Sequence, residues 1–156
     1  MNTIGGLPAH VLLVHFVVVL APLTAVLEIL CGLSVAVRSR LVWLVAALSA
    51  VTLTLTPITT SAGEWLFDRE EHPSEALLTH TERGDWMLVF SGALVLGAIV
   101  LAIAHRLDVS PERLGPHLAV AALVLVLGVV SIVGVIRIGD SGAKAVWGKE
   151  LAGDGE

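Results

Sequence analysis

Pro8-Ala9-His10-Val11-Leu12-Leu13-Val14-His15-Phe16 decides how this chain is read. It places two histidines in the opening turns of a lipid-like helix. From Val11 to Val37 only His15, Thr24, Glu28 and a few small residues interrupt the apolar run. An imidazole inside hydrocarbon is costly, so it calls for a partner: a metal, a haem, a carboxylate or a carbonyl.

The composition agrees with that run. The chain has 156 residues, 56% hydrophobic and 15% charged, with a mean hydropathy of +0.90. A soluble domain is nearer about 45–50% apolar and about 25% charged. An integral membrane protein of one domain, residues 1–156, follows. The single Cys31 excludes an internal disulfide and a thiolate metal cage. A net charge of −5 gives no case for nucleic acid as a partner. No Lys or Arg precedes Arg38, so no basic leader region is visible and the first helix is expected to stay in the protein.

Hydropathy predicts four spans, at about residues 8–37, 41–59, 86–104 and 118–138. Pro8 suits a first helical turn, and Arg38-Ser39-Arg40 reads as a basic turn. The run Leu53-Thr54-Leu55-Thr56 alternates like a strand, but an open strand cannot cross lipid with its backbone unpaired. It is read as helix, its hydroxyls bonded back to the preceding turn; Pro57 should loosen the exit. Pro73-Ser74-Glu75 looks like the start of a short amphipathic helix through His80. Gly139 and Gly142 look like the stop of the fourth helix, and residues 150–156 read as a disordered tail. The expected fold is all-α, a four-helix membrane bundle with a short amphipathic helix between spans 2 and 3. Both termini then share a side. Arg38, Arg40, Arg106 and Arg113 lie in short loops on the other side, which favours extracytoplasmic termini in a bacterial inner membrane.

His10 and His15 are five residues apart, about 140° of rotation and about 7.5 Å of rise on a helix. They do not share a face and cannot readily hold one ion side by side. His15, the deeper of the two, is expected to face the bundle and pair with His80 through a haem or a metal ion. His10 would be a further cofactor-binding group. Glu64, Asp68, Asp85 and Asp140 reach the same end and are expected to act as second-sphere or proton-handling groups. Glu28 lies about 27 Å along the axis from His10 and is expected near the far interface. No phosphate-binding loop, dinucleotide fingerprint, CxxCH haem-attachment motif or nucleophile elbow occurs.

The segment Leu7 to Phe16 is similar to the opening motif of a family of small bacterial membrane proteins filed as domain of unknown function 2231. His80 before the third span and the glycine-rich stretch Gly139 to Gly148 add to the resemblance, which covers nearly the whole chain. It departs from that motif where His10 is followed by Val11 and not proline. The resemblance implies a four-helix membrane domain. Similar domains occur beside redox modules such as Rieske iron–sulfur domains, an association with electron transfer and not an activity.

Two functions are expected from these residues. The first is a redox-associated membrane protein holding haem b or a transition-metal ion near the extracytoplasmic mouth, with His15 and His80 as ligands. The alternative is a cofactor-free accessory subunit of a larger, respiratory-type membrane complex. The lipid bilayer is the expected environment, and a redox partner, a larger complex or a homo-oligomer the expected company. Neither reading makes the chain a stand-alone enzyme. Proton or metal permeation past Glu28 ranks third, because the other spans offer only hydroxyls.

Overall fold

In a computed structural model, which describes residues 3–153, the chain is an all-α bundle. Five helices follow a small hairpin: α1 (Ala9–Leu33), α2 (Val35–Phe67), α3 (Glu75–Asp85), α4 (Met87–Arg106) and α5 (Leu114–Gly153). Strands β1 (Thr3–Ile4) and β2 (Leu7–Pro8) pair antiparallel around Gly5-Gly6. Both glycines have positive φ, 58° and 85°, which a two-residue hairpin turn of this hand requires. Four segments are long and apolar enough to cross a bilayer: 9–33, 35–67, 75–106 and 114–148. The amphipathic α3 joins α2 to α4 as expected. Its Ser74 hydroxyl accepts from the Leu77 N–H at 3.3 Å and so caps the first turn.

Every spanning helix turns one stripe inward at a spacing near 3.5 residues. In α1 the buried stripe runs through Val17, Ala21, Thr24, Glu28 and Cys31, and in α2 through Arg38, Val42, Val45, Ser49, Thr52, Thr56 and Thr59. In α4 it runs through Met87, Ser91, Leu94, Ala98 and Leu101. His117, Val124, Ser131 and Ile138, seven apart, are buried in α5. Such a seam packs helices at a small left-handed crossing angle, and its small residues bring backbones close. Two apolar clusters form, one around Val17, Ala21, Leu94 and Val135, the other around Cys31, Val42, Leu101 and Val124. Large apolar side chains on the outer faces, such as Phe16, Val19, Leu96 and Ile136, are exposed, as a lipid-facing surface requires.

Three helix ends differ from the sequence expectation. The first break falls at Ser34, not at Arg38–Arg40. Ser34 caps α2, its hydroxyl accepting from the Val37 N–H at 3.4 Å, so Arg38 lies inside α2. A lone serine in an apolar run hides this cap. The second difference is Pro57, inside α2, which continues to Phe67. A proline costs one backbone hydrogen bond and a bend, and a long helix absorbs both. Third, α5 passes through Gly139 and Gly142 to Gly153; residues 154–156, the end of the expected tail, lie outside the described residues. The threonine expectation holds. Thr52, Thr54, Thr56 and Thr59 each donate to the carbonyl four residues back at 2.8 Å.

Candidate functional site

At the end of the bundle that carries both termini, the imidazoles of His10 and His80 meet edge to face. Their centroids are 6.3 Å apart and their planes 72° to one another. His10 enters from α1 because it is seven residues, about two turns, before Val17 on the buried stripe. His80 enters from α3. The His10 Nδ1–H donates to the Thr59 carbonyl at 2.9 Å. His80 Nδ1 lies 3.2 Å from the Ser141 hydroxyl oxygen. That hydroxyl already donates to the Ile138 carbonyl at 2.8 Å, so it accepts from the His80 Nδ1–H. Both rings are thereby held as Nδ1–H tautomers, leaving an Nε2 lone pair free on each. Metal-ligating histidines are commonly oriented this way, through the nitrogen that does not bind the metal.

Two glycines make room for the rings. A Cβ on Gly63 of α2 would fall 2.9 Å from His10 Nδ1, and one on Gly142 of α5 would fall 3.0 Å from His80 Cε1. Gly142, expected to stop α5, is thus a seat for His80. Replacing it with valine should displace the His80 ring at a cost of about 1–3 kcal/mol. The His80 Nδ1–H signal in ¹⁵N-histidine NMR spectra should then shift or vanish. Gly139→Val, where nothing lies within 4 Å of an added Cβ, should leave it in place.

Beside the rings is a cavity of about 50 Å³, lined by His10, Val14, Val17, Thr56, His80 and Met87 among others. That is room for a water or an ion. It is far below the about 300–1,000 Å³ of sites that enclose a small molecule or cofactor. A haem macrocycle does not fit between these helices as packed.

The structure exchanges the expected placements of His15 and His10. His15 is exposed, and its Nδ1–H donates at 2.5 Å to the carbonyl of Val11 in its own helix. It lies on the outward stripe with Val11, Val19, Val26 and Leu30. The rotation of about 140° that separates the two histidines puts one inside and the other outside. Depth along the helix was the wrong criterion, since a deep imidazole can satisfy itself on a carbonyl of its own helix. The four carboxylates are also corrected. Glu64, Asp68, Asp85 and Asp140 are exposed, and Asp140 pairs with Lys144 at 2.8 Å. The Thr59 carbonyl and the Ser141 hydroxyl hold the places assigned to them. Among the described residues no group of three His, Cys, Asp or Glu side chains is arranged to hold a metal ion.

At the opposite end lie residues whose placement the sequence reading missed. Glu28 lies toward the far end of α1, as expected, but it is fully buried inside the bundle, and neither carboxylate oxygen has a hydrogen-bond partner. Arg38 is 1% exposed. One of its Nη atoms donates to the Val109 carbonyl in the α4–α5 turn, while Nε and the other Nη have no partner. Cys31 lies between them, within electrostatic reach of both. His117 is buried with Nδ1 unpartnered, and His105 stacks edge-on against Trp43 at 6.4 Å. A legible signal existed. Glu28 is 18 residues from His10, five full turns, so both occupy one face with Ala21 and Thr24.

A four-helix integral membrane bundle with an oriented histidine pair at one end and a buried carboxyl near the other is the class these features define. The chain belongs to the family described as predicted membrane protein (DUF2231), whose model matches residues 6–154. No curated protein and no solved structure matches it.

Proposed function

We propose that this bundle is a redox-associated membrane protein holding one transition-metal ion between His10 and His80. The carrying observation is the edge-to-face contact of the two rings, with Nδ1 of each engaged by the Thr59 carbonyl or the Ser141 hydroxyl, an arrangement that leaves Nε2 of each to bind an ion. Metal–imidazole bonds of about 2.0–2.1 Å would set two rings sharing one ion with centroids roughly 5–6 Å apart. The observed 6.3 Å is close to that range. Neutral nitrogen donors without thiolate or carboxylate suit late first-row ions, copper above all. A copper ion with two imidazoles and an open side can change oxidation state and accept a further ligand. Solvent or a partner protein would supply that ligand, since the bundle offers no third one among the described residues.

Metal analysis after copper-replete expression and purification in mild detergent tests this reading. About one ion per chain is expected, lost in His10→Ala and in His80→Ala and retained in His15→Ala. A metal-free wild type, or equal loss in all three variants, would sink it. Recovery of a haem spectrum instead would mean that the helices part around a larger group.

The bond from His80 to Ser141, which ties α3 to α5 without any bound group, also suits a second reading, a cofactor-free accessory subunit of a larger membrane complex. In that case the histidine contact only locks α3 onto α1. Purification from native membranes separates the two: a stoichiometric partner and no metal support the accessory role.

A further inference from the structure

We propose that Glu28 is an intramembrane proton-binding site, loaded and unloaded from the Arg38 end of the bundle. It is separate from the histidine pair and does not depend on the reading of that pair.

The carboxyl is buried from every side. Glu28 has zero exposure, and both oxygens lack partners. α4 passes directly over it at Gly97, where an added Cβ would lie 2.6 Å from Oε2. Any side chain at Gly97 would occupy the carboxyl's place. An ionised carboxylate without a partner in such surroundings costs several kcal/mol, and binding a proton removes that charge. The neighbours do not offer a different counter-ion. On α1 the nearby titratable group is Cys31, and on α2 it is Arg38 beyond Cys31. α4 presents Gly97 and the apolar Leu94, Ala98 and Leu101. From α5, Val124 belongs to the cluster around Cys31, and the buried His117 is one turn from that helix's start. Arg38 makes no salt bridge with Glu28 among the described residues.

The direction of access follows from what lies on each side. Toward the histidine mouth the way is about 27 Å along α1. It is filled by Val17, Ala21, Ala25 and Leu94, and Thr24 spends its hydroxyl proton on the Leu20 carbonyl. Toward Ser34 the way is about 9 Å. It passes the cluster of Cys31, Val42, Leu101 and Val124 but also reaches the unpartnered Nε and Nη of Arg38, buried donors that would hold a water on this shorter path. The step is simple: the carboxylate takes a proton from hydronium arriving at the Arg38 end, leaving water, and returns the proton to water there as hydronium.

Infrared spectroscopy of the full chain in liposomes reads this directly. At neutral pH the wild type should show the carbonyl stretch of a protonated carboxylic acid. That band should be absent in Glu28→Gln and moved in Glu28→Asp. In deuterated water the wild-type band should shift down, which needs no variant to fold. Absence of the band, or its survival unchanged in Glu28→Gln, overturns the assignment. A band that does not shift in deuterated water overturns the exchange. Loss of the band on adding sodium at constant pH would replace the proton with a cation.

Discussion

Arg38→Ala is expected to be the most destabilising single change in the chain outside the apolar seam, by about 3 kcal/mol or more. The guanidinium is the tie between α2 and the α4–α5 turn, through the buried carbonyl of Val109. A hydrogen bond from a charged donor contributes about 1.5–3 kcal/mol, and its loss leaves that carbonyl unsatisfied. Truncation also removes one of the largest fully buried side chains and leaves a void. The turn's other hydrogen bonds are local backbone ones, among them Asp108 N–H to the His105 carbonyl at 3.3 Å and Arg113 N–H to the Ser110 carbonyl at 2.9 Å. Asp108 adopts a positive φ of 50°, and Val109 donates to the Ala104 carbonyl at 3.0 Å. Thermal unfolding in mild detergent should fall by several degrees, and hydrogen exchange in residues 107–113 should rise. Arg38→Met should lose less, because it keeps volume and removes the two unpartnered nitrogens. Arg40→Ala, exposed two residues on, should stay within about 0.5 kcal/mol of wild type. Equal effects at the two arginines would mean that Arg38 does not anchor the turn.

The contrast between Arg38 and the sequence expectation shows what was legible. Hydropathy found the four spans, because lipid demands long apolar helices whatever their neighbours. Ser74 announced α3 by its cap. Hydropathy does not say which way a helix is rotated, and here rotation decides the site. His10 and His15 look equivalent to a hydropathy window, yet one meets His80 and the other faces outward. The small residues carry the missing information. Ala21, Thr24, Ala25 and Gly32 mark the inward face of α1, and tracing their stripe in both directions reaches His10 and Glu28. In α2, Ser49, Thr52 and Thr56 mark a stripe that extends to Arg38. Helix ends were harder. A cap at Ser34 rests on one weak hydrogen bond of 3.4 Å, and α5 runs through Gly139 and Gly142, of which only Gly142 packs, against His80. The His80–Ser141 contact joins residues 61 apart, which no local pattern records.

Glu28→Met is expected to move stability in the opposite direction, raising it by about 1–3 kcal/mol. Both Glu28 and Arg38 are buried and charged by type, but their partners differ. Arg38 has the Val109 carbonyl; Glu28 has nothing within hydrogen-bond reach. A buried polar group without a partner costs about 1–3 kcal/mol on mutational scales. An apolar side chain of similar length recovers that cost without opening a void, and Met adapts to the narrow space under Gly97. Glu28→Gln should gain less, since its amide is also left unpaired. For a chain of this size about 1 kcal/mol corresponds to roughly 2–4 °C in thermal midpoint. A rise of several degrees in Glu28→Met, with loss of the protonated-carboxyl band, is therefore the expected pair of results. If Glu28→Met instead falls in stability as far as Arg38→Ala, the carboxyl has a partner in the membrane. A tightly held water or ion beside Gly97 would then be the group to seek.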